Sequence, residues 1–198
     1  MITVTRPIPK IDETLDSENI VDELNGRLKL LEDCIEDVTY LSFQKVIKYY
    51  ETLANIPPIE RNNELYGLTS LYALLLLNAT YDEAIKEIFR NHLSVALNDR
   101  NNVHEYIENI INKKILNRYM TNIKHGTVKE TFQFEIDTQD AFLQQSIATI
   151  NDLIKTRNDI AHGLDPQSKG HNDLVKAIES VLYYLICYSD AVISKFIV

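Results

Sequence analysis

Arg157, Asn158 and His162 fall within one short stretch, "TRNDIAHG", which runs from Thr156 to Gly163. An arginine is a permanent cation whose planar fork can hold two phosphate oxygens. A histidine can take or give a proton near neutrality. Side by side, the two suit metal-free cleavage of a ribose phosphodiester. The 2′-OH is then the internal nucleophile, so no metal-bound water is needed. The imidazole takes its proton or gives one to the leaving 5′-oxygen, while the guanidinium meets charge developing on the non-bridging oxygens.

The element that must position them is a helix. Asp137 or Thr138 is the expected N-cap, and the helix should end at Gly163. Leu143, Ile147, Ile150, Ile154 and Ala161 trace one apolar stripe at helical spacing, and Arg157 occupies its missing rung. A guanidinium on a buried seam needs an anion, an acidic partner or a wet interface. Asn158 and His162 are four apart and can meet, so Asn158 could hold the imidazole in one tautomer. His162 falls in the last turn, where the helix dipole should favour its protonated form. Gly163 supplies the left-handed residue that stops the helix. Arg157 and His162 differ by about 140° around the helix, and one chain offers one such histidine. Two copies packed across a two-fold axis would bring two arginines and two histidines into one cleft.

Arg-Asn-x-x-x-His followed by glycine, late in a helical chain, resembles the RX4-6H motif of the HEPN superfamily. Arg157 and His162 match its two signature positions, and Asn158 matches the polar residue that often follows the arginine. The longer wording "LIKTRNDIAHG" is similar to members of the RiboL-PSP-HEPN-like group. The resemblance implies a metal-independent endoribonuclease without cofactor, often a toxin or defence component, active on RNA as a homodimer with the motif at the interface. An antitoxin or other protein partner is also implied. Some members are instead non-catalytic RNA-binding or assembly modules. HEPN toxins silenced by adenylylation carry a tyrosine two residues after the histidine. Leu164 stands there in this chain, which argues against that control.

The rest of the chain supplies a helical frame. It has 198 residues, 45% hydrophobic, with only five glycines and five prolines, a scarcity of breakers that favours long helices. The expected fold is an all-α bundle of about five helices. Residues 1–18 read as an arm and 19–198 as one helical domain, its core roughly 63–195. The first helix should run from about Glu18 to Leu53 with a break near Thr39. After "NIPPIERNN", a second runs from about Asn63 to Leu97, and a third from about Val103 to Ile123. Val128, Thr131, Phe132, Phe134 and Ile136 are β-formers, so a short extended or β segment is expected near 127–137. Asn172 or Asp173 should cap a last helix from Leu174 to about Lys195.

Net charge is −9, so any hold on nucleic acid must be local. Lys113, Lys114, Arg118, Lys124 and Lys129 form a basic stretch with no acid among them, which can grip phosphates or form a solvated helix face. Ten acids between Asp12 and Asp37 face only Arg27 and Lys29 and read as a solvated face, or a docking surface for a basic partner. Cys34 and Cys187 show no metal or disulfide spacing, and the remaining histidines show no metal spacing, so no metal is expected. The apolar stretches 68–77 and 177–198 read as buried helix, the first too short to span a bilayer and the second carrying Glu179, Asp190 and Lys195. With no apolar leader at the start, the cytoplasm is the expected home. The structural alternative for the motif is a core arginine paired with an internal acid, Asp82 or Glu83 being the candidates, and a histidine that merely caps its helix. A nucleotide-binding regulator, with Arg157 on a phosphate, lacks any glycine-rich loop to support it.

Overall fold

The 17 residues from Leu65 to Tyr81 contain no charged side chain, and they form the first half of the longest helix. A computed structural model describes residues 8–12, 14–97, 106–107, 109–116, 121–132, 140–163 and 169–196. Six α-helices stand among the described residues: α1 (Ser17–Lys29), α2 (Asp37–Ala54), α3 (Glu64–Leu97), α4 (His125–Phe132), α5 (Ala141–Ala161) and α6 (His171–Phe196). A 3₁₀ turn lies at Pro58–Glu60 and a π-helical turn at Ile111–Leu116. With no strand among the described residues, the fold is the all-α bundle expected.

Helix α6 is the central post. Every residue from Ala177 to Ser189 is buried, as is 78% of its most apolar window, which accounts for a helix apolar enough to cross a membrane. It packs chiefly on α3 and α5, and α3 packs in turn on α2. Tyr66 meets His171 and Tyr81 meets Tyr184, so α3 and α6 run in parallel. Helix α5 runs against them: Asp140 at its start meets Tyr183, and Asp152 nearer its end meets Lys169.

Several boundaries differ from expectation, and buried carboxylates explain most of them. The long first helix breaks at residues 30–36, not near Thr39. Glu87 on α3 accepts the Glu36 backbone N–H at 3.0 Å and the Thr39 hydroxyl at 2.8 Å, so it caps a new helix there. The expected third helix stops before Ile123, because Asp82 on α3 accepts the backbone N–H groups of Asn122 (2.9 Å) and Ile123 (3.0 Å). Asn122 is left-handed at φ 58°, a conformation asparagine tolerates. This turn launches α4, so the expected extended segment is helical as far as Phe132; its remainder, 133–139, lies outside the described residues. Burying Ile123 and Val128 completely overrides the local β preference. Helix α5 takes Asp140 as its N-cap, one turn later than Asp137 or Thr138. Helix α6 starts at His171, earlier than expected, with Asp173 reaching back to accept the Gly170 N–H at 2.9 Å.

A third buried carboxylate closes the frame. Glu179 on α6 accepts the Ile11 N–H at 2.6 Å and pairs with Arg27 of α1 at 3.2 Å. Arg27 also donates to the Pro9 carbonyl, and both charged residues are 4% exposed. Burial pulls the Arg27 pKa down and pushes that of Glu179 up, against their mutual attraction. Desolvation thus outweighs pairing, as expected for buried ions. Glu179→Leu should therefore cost about 3–5 kcal/mol by leaving Arg27 unpaired, while the double change with Arg27→Met recovers most of it; urea unfolding measures both. Equal losses in single and double variants would refute this account.

Burial also lowers the pKa values of His92, His125 and His171 from 6.5. The unfolded chain then binds protons first as pH falls. Their contribution is present above 6.5 and is lost as pH drops through the lowered folded values. Asp82, Glu87 and Glu179, raised by burial, act with the opposite sign at lower pH. Urea midpoints should fall between pH 7 and about pH 5.5, with a shallower slope in His92→Gln. Parallel slopes would mean His92 is not held neutral.

Candidate functional site

Helix α5 is set at its start and released at its end. Asp140 accepts the N–H groups of Phe142 and Leu143, and the Tyr183 hydroxyl donates to the same carboxylate. Phe142 packs on the Tyr183 ring at 4.5 Å. Leu143, Ile150 and Ile154 are buried and Ile147 is half-buried, as the stripe predicts. The ridge then leaves the core: Arg157 is half-buried and Ala161 is exposed. The last turns of α5 extend past the packed body of the bundle, which lets a cation occupy an apolar register without full desolvation.

Arg157 donates from Nη1 to the Asn158 side-chain oxygen at 3.1 Å. Among the described residues it meets no carboxylate within ion-pairing distance. Neither candidate acid reaches it: Asp82 is committed to Asn122 and Ile123, and Glu83 pairs with Lys86 at 2.7 Å. The expected Asn158–His162 contact is also absent among the described side chains. Asn158 turns instead to the guanidinium beside it, whose charged donors suit an amide oxygen. Asp159 is half-buried.

His162 is the C-cap of α5 and is exposed. Its backbone N–H reaches the carbonyls of Asn158 (3.0 Å) and Asp159 (3.2 Å), and Gly163 N–H reaches Ile160 at 3.0 Å. Gly163 adopts φ +70°, so the left-handed stop falls where the sequence places it. The imidazole therefore sits on a fixed helix end with its ring open to a partner. A methyl group at Gly163 would touch nothing within 4 Å, so Gly163→Ala tests backbone strain alone. It should lower stability by about 1 kcal/mol in thermal unfolding. An unchanged midpoint would show that the turn does not hold His162.

The basic stretch is not brought to this end. Lys113 and Lys114 are exposed on the π-helical turn, Lys124 is exposed before α4, and Lys129 is exposed on α4; Arg118 lies outside the described residues. His125 of α4 meets Tyr184 at 3.1 Å, close to where Tyr183 holds the start of α5. In one chain Lys124 and the start of α4 therefore lie by the end of α5 opposite Arg157. Among the described residues no three His, Cys, Asp or Glu side chains group as metal ligands.

Two features of this end escaped the sequence reading. One is a cleft of about 310 Å³ between α3, α5 and α6, with Leu74, Asp152, Thr156 and Lys169 among its lining residues. Thr156 immediately precedes the motif arginine, but a threonine in a helix carries no signal of a pocket. The other is the outer face of α3, where Leu65, Leu68 and Tyr72 are 68%, 55% and 48% exposed and Ala79 is exposed. The uncharged run was legible; that one of its sides stays uncovered was not. Because α3 starts beside the start of α6, and α5 ends there, Leu65 to Tyr72 lie at the same end of the bundle as Arg157.

No curated protein and no solved structure matches the chain. A family model described as RiboL-PSP-HEPN matches residues 22–194, which takes in α2 to α5, nearly all of α6 and the whole Arg157–His162 motif. On that match, joined to an all-helical bundle that presents the motif at an open helix end, the chain belongs to the RiboL-PSP-HEPN family of HEPN domains.

Proposed function

We propose that the protein is a metal-independent endoribonuclease acting as a cytoplasmic toxin or defence effector, with Arg157 and His162 at a cleft shared by two copies. The observation that carries this reading is an arginine on the inner ridge of α5 with no carboxylate partner among the described residues, one turn from an exposed histidine. Half-buried and without an ion pair there, its guanidinium is available to a phosphate. Arg157 would clamp the non-bridging oxygens of the scissile phosphate, its fork held by Asn158. The ribose 2′-oxygen attacks phosphorus as the bond to the 5′-oxygen breaks, leaving a 2′,3′-cyclic phosphate and a free 5′-hydroxyl. His162 of one copy takes the 2′ proton and that of the other gives a proton to the leaving oxygen. The second copy supplies the histidine that one chain lacks.

The uncovered face of α3 supports this assembly. Leu65, Leu68, Tyr72 and Ala79 have no charge among them, and a two-fold axis lets such a face meet itself. Two copies joined there would bring their α5 ends toward each other. Lys124, by the far end of α5, would then extend the hold on RNA outward from the cleft, with Lys113 and Lys114 also exposed.

Purified protein should cut RNA in EDTA and leave cyclic or 3′-phosphate ends. Arg157→Ala and His162→Ala should each slow cutting at least about 100-fold without changing the melting point. Loss of activity in EDTA would overturn the mechanism. RNA retained without cleavage by wild type would instead identify a non-catalytic binding or assembly module. Leu68→Glu with Tyr72→Glu should yield monomers in sedimentation and abolish cutting, whereas Arg157→Ala stays dimeric. Active monomers would sink the shared cleft.

A further inference from the structure

The cleft beside Arg157 has the size and edge chemistry of a subsite for a single nucleobase. At about 310 Å³ it lies at the small end of ligand pockets and has room for a flat heterocycle. Leu74 of α3 and Leu153 of α5 give it aliphatic walls, 4% exposed each, on which a base can lie. Thr156 lines the same space and is 8% exposed. The hydroxyls of Thr80 and Thr149 fold back on carbonyls four residues earlier, at 2.7 and 3.0 Å. That of Thr156 makes no hydrogen bond to any described residue. A hydroxyl on the cleft wall with no described partner is open to hydrogen-bond a ligand atom.

The mouth carries a paired donor and acceptor. Lys169 donates to Asp152 at 3.0 Å, with the lysine side chain 22% and the aspartate 58% exposed. An exposed pair of this kind adds little stability, so it can exchange partners without harm to the fold. Together the two side chains offer a cation beside a two-oxygen acceptor. Guanine presents the complement on one edge: O6 accepts, while N1–H and the 2-amino group donate. Uracil offers O4 and N3–H but no second donor. Cytosine and adenine place an amino group where the lysine would sit.

Thr156 is the residue before Arg157, one helical step of about 100° away. A base in the cleft would thus carry its own phosphate toward the guanidinium. We infer that this cleft is a guanine subsite, in which Asp152 and Lys169 read the base edge, Thr156 adds a hydrogen bond from the wall, and Leu74 and Leu153 hold the ring. The inference rests on the nuclease reading for its use, but the binding itself can be measured without cleavage.

The four nucleoside 5′-monophosphates, none of them cleavable by 2′-oxygen attack, are titrated into the wild-type protein while methyl resonances are followed. Guanosine monophosphate should bind at least about tenfold tighter than the other three and shift the methyls of Leu74, Leu153 and Thr156. Asp152→Asn and Lys169→Met, both changes at the mouth, should each erase that preference, and Thr156→Val should weaken guanosine binding several-fold. Mapped cleavage ends should then fall beside guanosines in wild type and scatter in Asp152→Asn. Equal binding of all four nucleotides, or shifts confined to other surfaces, overturns the subsite even where RNA is still cut. Guanosine-selective shifts in a protein that cuts nothing uphold the subsite and remove the nuclease reading instead.

Discussion

Four carboxylates among the described residues are committed to holding the chain's backbone in place. Glu87 starts α2, Asp82 turns the chain into α4, Glu179 ties down the segment around Ile11 and takes Arg27 as its partner, and Asp140 caps α5. Three of the four sit on the core helices α3 and α6, and the fourth, Asp140, is met by Tyr183 of α6. They satisfy N–H groups that a helix start leaves open, which is why the connections are ordered where they cross the core. The consequence falls on Arg157. Among the described residues none of these four carboxylates pairs with it, and its one hydrogen-bond partner there is Asn158. A buried counter-ion would have made the motif a staple of the fold; under the proposed reading, an arginine with none among the described residues is left for chemistry.

The sequence made the helices legible where an apolar period ran without competition. Helix α3 begins and ends almost where its pattern does, and α6 is buried as its composition implies. Boundaries failed where a distant side chain decided them. Nothing near Thr39 says that Glu87, far along the chain, will cap a helix at Glu36. Nothing in "HGTVKETF" says that Asp82 will fix the turn before it, so β-branched residues pointed to a strand that tertiary contacts overrule. The site followed the same division. Arg157 was visible as a cation in an apolar register, and Gly163 as a stop, because both are local rules. The turn of Asn158 toward Arg157, the cleft at Thr156 and the uncovered side of α3 depend on which helices meet, and no local pattern contains that.

Helix α5 shows how one element can serve stability and chemistry at once. Its first four turns are anchored, by Asp140 at the cap, by Phe142 on Tyr183 and by Leu143, Ile150 and Ile154 in the core. Its last turns carry the same register outward, where Ile160 is half-buried and Ala161 exposed. An apolar ridge that continues past its partners is wasteful in a lone molecule, since those contacts are not made. It is economical if a second surface completes them.

That argument applies twice at the same end of the molecule. The α5 ridge and the outer face of α3 both leave apolar surface exposed, and both lie by the start of α6. Arg157 and His162, about 140° apart on their helix, cannot converge on one phosphate from a single ridge. Under the proposed reading, two copies related by a two-fold axis answer the exposed surface and the divided pair together. Under the proposed reading, the surface that would make the dimer also forms the wall of its cleft. A charge placed at Leu68 or Tyr72 would then disturb assembly and chemistry through one contact, while a change at Arg157 would disturb chemistry alone. Separate behaviour of those two positions is what a shared cleft requires, and a site complete within one chain does not.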